Sequence, residues 1–192
     1  PLHRWIHALA IPEIGEQTAY DLARFHDNLE AIASSQALKD TVQLGKLSEQ
    51  ILVNSPLAAV NKKKPQAVRE ALRPKWQQLI GDADAVGSRL IESGFGQRSE
   101  GSKNPRDAVT PVGPVAAESL LAFFESSTGK HVLKRLKELG IHPEGDRARS
   151  LSSADSGPFA GKTFVLTGTL PSLSRDEASA LIRAAGGNVS GS

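Results

Sequence analysis

Apolar residues recur at three- and four-residue spacing along most of the chain, which is the pattern of amphipathic helices. In the first 35 residues this spacing predicts two helices separated by a turn at residues 11–15, and a third helix over residues 28–33. The apolar positions of the first two helices are Leu2, Trp5, Ile6 and Leu9, then Ala19, Leu22, Ala23 and Phe25.

Helical spacing continues less regularly through residues 36–107. Pro65 is tolerated at a helix start, whereas Pro74 is expected to kink or divide the helix that contains it. The carboxylates of Asp82 and Asp84 have a spacing that could suit a metal, but the glycines beside them favour a turn or a helix cap. Residues 94–107 have the composition of a loop or mobile linker.

The remaining chain changes from helical to alternating helix and strand. Helices are predicted over residues 114–126 and 130–139, with Gly140 ending the second, and the aperiodic residues 142–157 are predicted to be a linker. A buried strand is predicted over residues 163–168, then a helix capped by Ser174 with Glu177, and a second strand from Asn188. A sheet of two strands is too small to stand alone.

Composition excludes several kinds of chemistry. The 192 residues include no Cys, which rules out disulfides, thiolate catalysis and cysteine-ligated zinc within them. The five histidines lack metal-ligand spacing, so we expect no metal or other cofactor to bind in this segment. No stretch approaches the roughly 20 apolar residues of a membrane span, and no signal peptide is evident, so we expect a cytoplasmic chain with no membrane partner. The absence of Met predicts that the chain is a piece of a longer protein.

The net charge of +2 hides an uneven distribution. Residues 36–107 hold 12 of the 23 basic residues and 8 of the 21 acidic ones. A run such as Lys62-Lys63-Lys64 is usually a solvated loop, and contact with phosphates is the alternative. We therefore take these three lysines as lesser candidates for salt-dependent contacts with phosphates.

One short pattern occurs twice: an aliphatic residue, a glycine, and a small residue as the next helix begins. Glycine can adopt backbone conformations closed to other residues and permits a close approach. Main-chain N–H groups at such a turn and at the following helix N-terminus would form an anion site that matches a phosphate oxygen. Ala19, and Ala116 or Ala117, would let the helices cross closely. The candidate phosphate-binding residues are Ile14, Gly15, Glu16 and Gln17 in the first copy, and Val112, Gly113, Pro114 and Val115 in the second, although Pro114 has no N–H.

Both copies resemble the helix-hairpin-helix motif, which grips the nucleic-acid backbone without reading bases. The usual first glycine is replaced by Glu13 in the first copy and by Thr110 or Pro111 in the second. A broader similarity joins residues 1–11 (PLHRWIHALAI), 112–119 (VGPVAAES) and 158–170 (PFAGKTFVLTGTL), continued by residues 174–178 and 185–187. In this order they resemble the C-terminal half of bacterial NAD-dependent DNA ligases, ending in the start of the BRCT domain.

The resemblance implies a mainly α fold, a helix-hairpin-helix domain followed by a truncated α/β BRCT unit. It divides the chain into a helix-hairpin-helix unit (1–35), a helical insertion with a flexible end (36–107), a second such unit (108–141), a linker (142–157) and a truncated BRCT domain (158–192). The insertion is longer than the connection usual in the family, and it could serve a protein partner.

The resemblance also implies a parent enzyme that seals nicks in duplex DNA during replication and repair, using NAD, magnesium and zinc. It transfers AMP from NAD to a lysine and then to the 5′-phosphate, after which the 3′-hydroxyl attacks. The Lys-x-Asp-Gly motif of that lysine does not occur here, so we expect no catalytic residue in this segment. The alternative is a non-enzymatic DNA-binding or scaffold protein, or a family X polymerase fragment, that shares these modules.

Overall fold

The computed structural model describes residues 1–145, 157–160, 162–168, 170 and 172–190. It divides into two compact units, which are described separately. Unit 1 comprises residues 1–31 and 133–192, and unit 2 comprises residues 32–132. None of the helices in the described ranges is both long and apolar enough to cross a membrane.

Unit 1 begins with the predicted pair of helices, α1 (Leu2–Ala8) and α2 (Glu16–Phe25), followed by α3 (Leu29–Ala33), which continues into unit 2. Leu2, Ile6 and Leu22 are fully buried, because the spacing of four residues in α1 keeps its two apolar side chains on one face. Trp5, predicted on that face, is 37% exposed. It lies about 100° around the helix from Ile6 and so falls at the edge of the buried stripe.

The predicted linker begins in an ordered conformation. The N–H of Leu2 donates to the carbonyl of Glu144, and the N–H of Gly145 donates to the carbonyl of Asp27, both at 2.8 Å. These bonds hold residues 142–145 against the first two helices, which the aperiodic sequence did not predict. Most of the predicted linker, residues 146–156, lies outside the described residues.

The end of unit 1 is a strand–helix–strand unit, as predicted. Strands β3 (Thr163–Val165) and β4 (Asn188–Ser190) pair in parallel, and α10 (Arg175–Ala184) connects them. Ser174 and Glu177 form the predicted capping box, and Gly186 (φ +85°) follows the helix end. The prediction that the first of these strands is buried is wrong, since Val165 is 54% exposed. In the described part of the sheet this strand has a single neighbouring strand, which leaves much of it uncovered. Residues 161, 169, 171 and 191–192 lie outside the described residues.

Unit 2 is built around a long helix, α4 (Gln36–Asn54), which packs against α7 (Arg73–Glu92) and α8 (Pro114–Glu125). Along the chain, α5 (Ala59–Lys62) and α6 (Gln66–Ala71) come between α4 and α7. The last helix, α9 (Ser127–Glu138), continues from unit 2 into unit 1. Pro74 divides the helical pattern as predicted, because it stands in the first turn of α7. The core is aliphatic, with contributions from Leu38, Leu44, Leu79, Val86, Leu90 and Leu120.

Residues 94–109 are packed on α7, which corrects the prediction of a loop or mobile linker. Strands β1 (Gln97–Arg98) and β2 (Ala108–Val109) pair antiparallel, and a 3₁₀ helix (Pro105–Asp107) lies between them. The carbonyl of Pro105 occupies the place that a side chain on Gly87 would fill. Composition alone does not reveal such a contact, because the partner is a distant helix.

The region of Asp82 and Asp84 is the middle of α7, so the predicted turn or cap there is wrong. Asp84 accepts two hydrogen bonds from the Arg106 guanidinium, each at 3.0 Å. Glycine lowers helix propensity by only about 1 kcal/mol. Burial of Leu79, Ala83, Val86 and Leu90 on the same helix outweighs this cost.

Asp40 is a buried carboxylate on α4, with 3% of its surface exposed. Arg89 donates to both of its oxygens at 2.8 and 3.1 Å, and Gln36 donates to one at 3.1 Å. Burial acts to raise the pKa of Asp40, but the hydrogen bonds from Arg89 and Gln36 and the charge of Arg89 outweigh it, so the pKa lies below its ordinary 3.8.

A depressed pKa makes this carboxylate a pH-dependent source of stability. Its contribution is present above the unfolded-state pKa and is lost as the pH falls through the lower folded-state pKa. We expect Asp40→Asn to lower the thermal midpoint by about 5 °C near neutral pH, and this difference to shrink between about pH 5 and about pH 2. Thermal unfolding by circular dichroism measures both. Asp82→Asn, at an exposed carboxylate of α7, is the control, and an equal change there would contradict the assignment.

Candidate functional site

Two glycine turns share one geometry, although they belong to different units. The first glycine turn (residues 11–15) precedes α2, and the second glycine turn (residues 110–113) precedes α8. In each, a buried aliphatic side chain anchors the turn: Ile14 is 7% exposed and Val112 is 1% exposed. The glycine that follows is exposed and forms the helix N-cap in extended conformation.

The helices after the two turns begin in the same way. The N–H of Ala19 donates to the carbonyl of Gly15, and that of Ala117 to the carbonyl of Gly113, both at 2.9 Å. Ala19 and Ala117 are fully buried, whereas Ala116 is half-buried. The structure therefore identifies Ala117 as the small residue of the second copy.

Backbone strain does not explain the two glycines, contrary to expectation. Gly15 has φ −83° and Gly113 has φ −68°, values that any residue adopts. Positive φ values occur instead at Ala10 (49°), just before the first turn, and at Glu13 (67°) within it, where the resemblance would place a glycine. A Cβ on either glycine would meet no heavy atom of the chain within 4 Å. The absence of a side chain therefore leaves open surface in front of each helix terminus.

Backbone donors line both helix termini. No side chain caps α2 or α8, so the first-turn N–H groups point outward at the positive end of the helix dipole. Gly15, Glu16 and Gln17 contribute such groups in the first turn. Ile14 does not, because its N–H donates to the carbonyl of Ile11 at 3.1 Å, which corrects its predicted role to that of an anchor.

The second terminus offers fewer donors. Gly113 and Val115 have N–H groups at the start of α8, and Pro114 has none. Thr110 donates its hydroxyl to the carbonyl of Val112 at 2.9 Å, which holds the turn closed. Val112 is thus a buried anchor in the same position as the aliphatic residue of the first turn.

An arginine that sequence reasoning missed lies beside the first glycine turn. The Arg183 guanidinium is 3.5 Å from the Glu16 carboxylate, donates to Gln17 at 3.3 Å and stacks 4.4 Å from the centre of the Tyr20 ring. Arg183 offsets the negative charge that Glu16 brings to the turn. Burial raises the pKa of nearby Asp21, although the hydrogen bond from Gln17 and the charge of Arg183 oppose the shift. No signal in the sequence links residue 183 to the first helices.

The other candidates lie elsewhere. Lys62, Lys63 and Lys64 are exposed at the end of α5 and just after it. The ring of His26 contacts the carbonyl of Leu22 through Nδ1 at 3.0 Å, and His3 packs edge-on against Tyr20. Within the described ranges, no three or more His, Asp or Glu side chains converge as metal ligands would.

A family model of the BRCT domain, described as the BRCA1 C Terminus domain, matches residues 154–192. The match includes the strand–helix–strand unit and confirms the small α/β part that was expected after a mainly helical segment. No solved structure matches the chain.

Three DNA ligases are among the relatives. The ligase of Akkermansia muciniphila is 36% identical over 195 residues, which is 100% of this chain and 24% of the relative. The chain is similar over its whole length to a segment of a bacterial DNA ligase. The ligase of Roseiflexus sp. is 48% identical over 62% of this chain and 17% of the relative. The ligase of Acidobacterium capsulatum is 42% identical over 48% of this chain and 13% of the relative. The predicted resemblance to bacterial DNA ligases is confirmed.

The extent of the similarity changes the interpretation of residues 36–107. The chain spans about a quarter or less of the length of these ligases. The Akkermansia ligase aligns across the entire chain, so its similarity includes the segment that we expected to be an insertion relative to the connection usual in the family. Residues 36–107 therefore have a counterpart in at least one ligase.

Proposed function

We propose that the chain is a DNA-binding portion of an NAD-dependent DNA ligase and grips the phosphates of duplex DNA without base specificity. The observation that carries this proposal is the pair of glycine turns, each with an exposed N-capping glycine that neither its φ nor an internal contact requires. We interpret each turn as the phosphate-binding half of a helix-hairpin-helix motif.

The chemistry of each turn suits a phosphate oxygen. Several N–H groups at an uncapped helix terminus donate together, and the helix dipole favours a negative charge there. A glycine permits the DNA backbone to approach closely, because no Cβ stands between the phosphate and the N–H groups. At the first turn, Arg183 neutralises Glu16, which would otherwise repel the phosphate. The three lysines from Lys62 to Lys64 add charge that would be worth less at higher salt.

The parent protein would seal nicks in duplex DNA during replication and repair, in the bacterial cytoplasm. NAD would supply the adenylyl group there, with magnesium and zinc as further cofactors. The 192 residues contain neither the Lys-x-Asp-Gly motif of the adenylated lysine nor any Cys that could ligate zinc. The role of the chain in such an enzyme is to hold nicked duplex DNA, with the BRCT part as an accessory contact.

Salt dependence tests the phosphate contacts directly. We expect the 192-residue chain to bind nicked and intact duplexes of unrelated sequence with similar weak affinity. Each phosphate contact should contribute about −0.9 to the slope of log K against log salt concentration, because counterions are released. Fluorescence anisotropy with labelled duplexes at increasing salt measures the slope. Binding that is independent of salt, or that strongly prefers one sequence, would contradict the proposal.

A non-enzymatic DNA-binding or scaffold protein, or a family X polymerase fragment, is the alternative. The sequence of the parent protein upstream of Pro1 would distinguish this alternative from a ligase. A Lys-x-Asp-Gly motif and four cysteines upstream support the ligase, and a parent without them supports the alternative.

A further inference from the structure

The segment of residues 59–75, which we call the basic tip, concentrates positive charge on one part of unit 2. It contains α5, α6 and the first residues of α7. Its six cations are Lys62, Lys63, Lys64, Arg69, Arg73 and Lys75, and its one carboxylate is Glu70. Only the three lysines were singled out from the sequence. The other three cations lie in α6 (Arg69) and at the start of α7 (Arg73 and Lys75).

Among the described residues, the cations of the basic tip have no carboxylate partner. Five are exposed and Arg69 is half-buried, and within the described residues none of the six forms an ion pair. The Glu70 carboxylate accepts from Gln66 at 2.8 Å rather than from a cation. Elsewhere in unit 2 the cations Lys46, Arg89 and Arg106 each contact a carboxylate, and the cations that form no ion pair in the described ranges are scattered along the chain rather than clustered. The like charges of the tip therefore repel one another, and binding of an anion would relieve this repulsion.

Hydrogen bonds of a buried asparagine hold the start of the tip in place. Asn61 is 2% exposed, and its side-chain amide donates to the carbonyls of Val53 and Ser55 at 2.9 and 2.8 Å. The main-chain carbonyl of Asn61 accepts a hydrogen bond from the main-chain N–H of Lys64 at 3.0 Å. These bonds tie the three lysines to the end of α4, so their backbone is ordered before any ligand binds.

We propose that the basic tip is a separate binding surface for the phosphate backbone of duplex DNA, additional to the two glycine turns. This inference rests on the proposed function, since it extends the contact of the same chain with the same DNA. Lysine is depleted in protein–protein interfaces, where aromatic residues and arginine dominate. Four of the six cations are lysines, the two arginines also suit phosphate oxygens, and Trp76, the aromatic residue that follows the tip, is half-buried. This composition favours phosphates over a protein surface.

A protein partner is the competing class, and the structure shows where it would bind. Four aliphatic side chains in or next to the tip are more than 60% exposed: Val60 within it, and Leu52, Val53 and Leu57 just before it. DNA phosphates gain nothing from contact with them, whereas a protein would bury them. Variants of the cations and of the aliphatic residues therefore separate the two classes.

The test compares variants of the 192-residue chain by anisotropy with a labelled intact duplex at several salt concentrations. We expect Lys62→Gln, Lys63→Gln and Lys64→Gln together to weaken binding at least about tenfold at low salt. The salt slope should fall by about 1 for each phosphate that the variant no longer neutralises. A second variant, Arg69→Gln with Arg73→Gln and Lys75→Gln, should reduce the slope in the same way. Leu57→Ser with Val60→Ser should leave both the affinity and the slope unchanged.

A charge-matched control separates local contact from net charge. Lys39→Gln, Arg98→Gln and Lys103→Gln remove the same charge from exposed positions of unit 2 outside the tip. Equal losses of affinity in this control and in the lysine variant would overturn the proposal, as would a lysine variant that binds like the parent chain or an aliphatic variant that loses affinity. In each of those cases the parent chain still binds duplex DNA, so the proposed function stands. A parent chain that fails to bind duplex DNA would overturn both.

Discussion

Replacing both Gly15 and Gly113 by valine is expected to weaken binding to duplex DNA about 100-fold, with each single change contributing about tenfold. A hydrogen bond to a charged group contributes about 1.5–3 kcal/mol, and a branched side chain at either position would hold the phosphate away from the N–H donors. Helix content should stay nearly constant, because both glycines have ordinary φ values and open space where the side chain would project. Anisotropy and circular dichroism measure the two effects.

The matched control is Gly81→Val, at an exposed glycine of α7 that also has no heavy atom within 4 Å of a Cβ. It should leave both DNA binding and helix content unchanged, because valine has a slightly higher helix propensity than glycine and meets open space there. If the double variant of the two turns binds as tightly as the parent chain, the turns serve packing alone.

Gly87→Ala is expected to lower the free energy of unfolding by about 3 kcal/mol, because overpacking a close contact forces the backbone apart. The new Cβ would overlap the carbonyl of Pro105, which is main chain and cannot rotate away. Displacing Pro105 would also strain the ion pair of Arg106 with Asp84. Urea unfolding followed by circular dichroism measures the change.

Gly81→Ala is the natural comparison, since the same substitution on the same helix meets open space. It should raise the free energy of unfolding by about 0.5–1 kcal/mol, because alanine loses less backbone entropy than glycine in a helix. A destabilised Gly81→Ala, or a Gly87→Ala as stable as the parent chain, would show that Pro105 does not pack as described.

Local chemistry explains the features that could be predicted. Spacing of apolar residues placed the helices in both units, since one buried face is a property of the helix alone. Ser174 with Glu177 predicted a helix start because both partners of a capping box lie within four residues. Pro74 predicted the division of the helix because proline acts on its own turn.

Long-range contacts explain what could not be predicted. Residues 94–107 have a loop composition, yet they pack on α7 through a contact at Gly87 that lies some 18 residues upstream of its partner. Arg183 comes to the first glycine turn from the far end of the chain, 167 residues from Glu16. A pattern within one segment contains no information about which distant segment will cover it.

The order of residues was therefore sufficient to predict the helices, the strand–helix–strand unit, the two glycine turns and the similarity to ligases, because each depends on neighbours along the chain. Three properties required the folded chain. Both glycines are exposed N-caps facing open space, Ile14 is an anchor rather than a donor, and the cations of the basic tip form no ion pair within the described residues. Burial and free space are set by residues far apart in the sequence, and they become visible when the chain is folded.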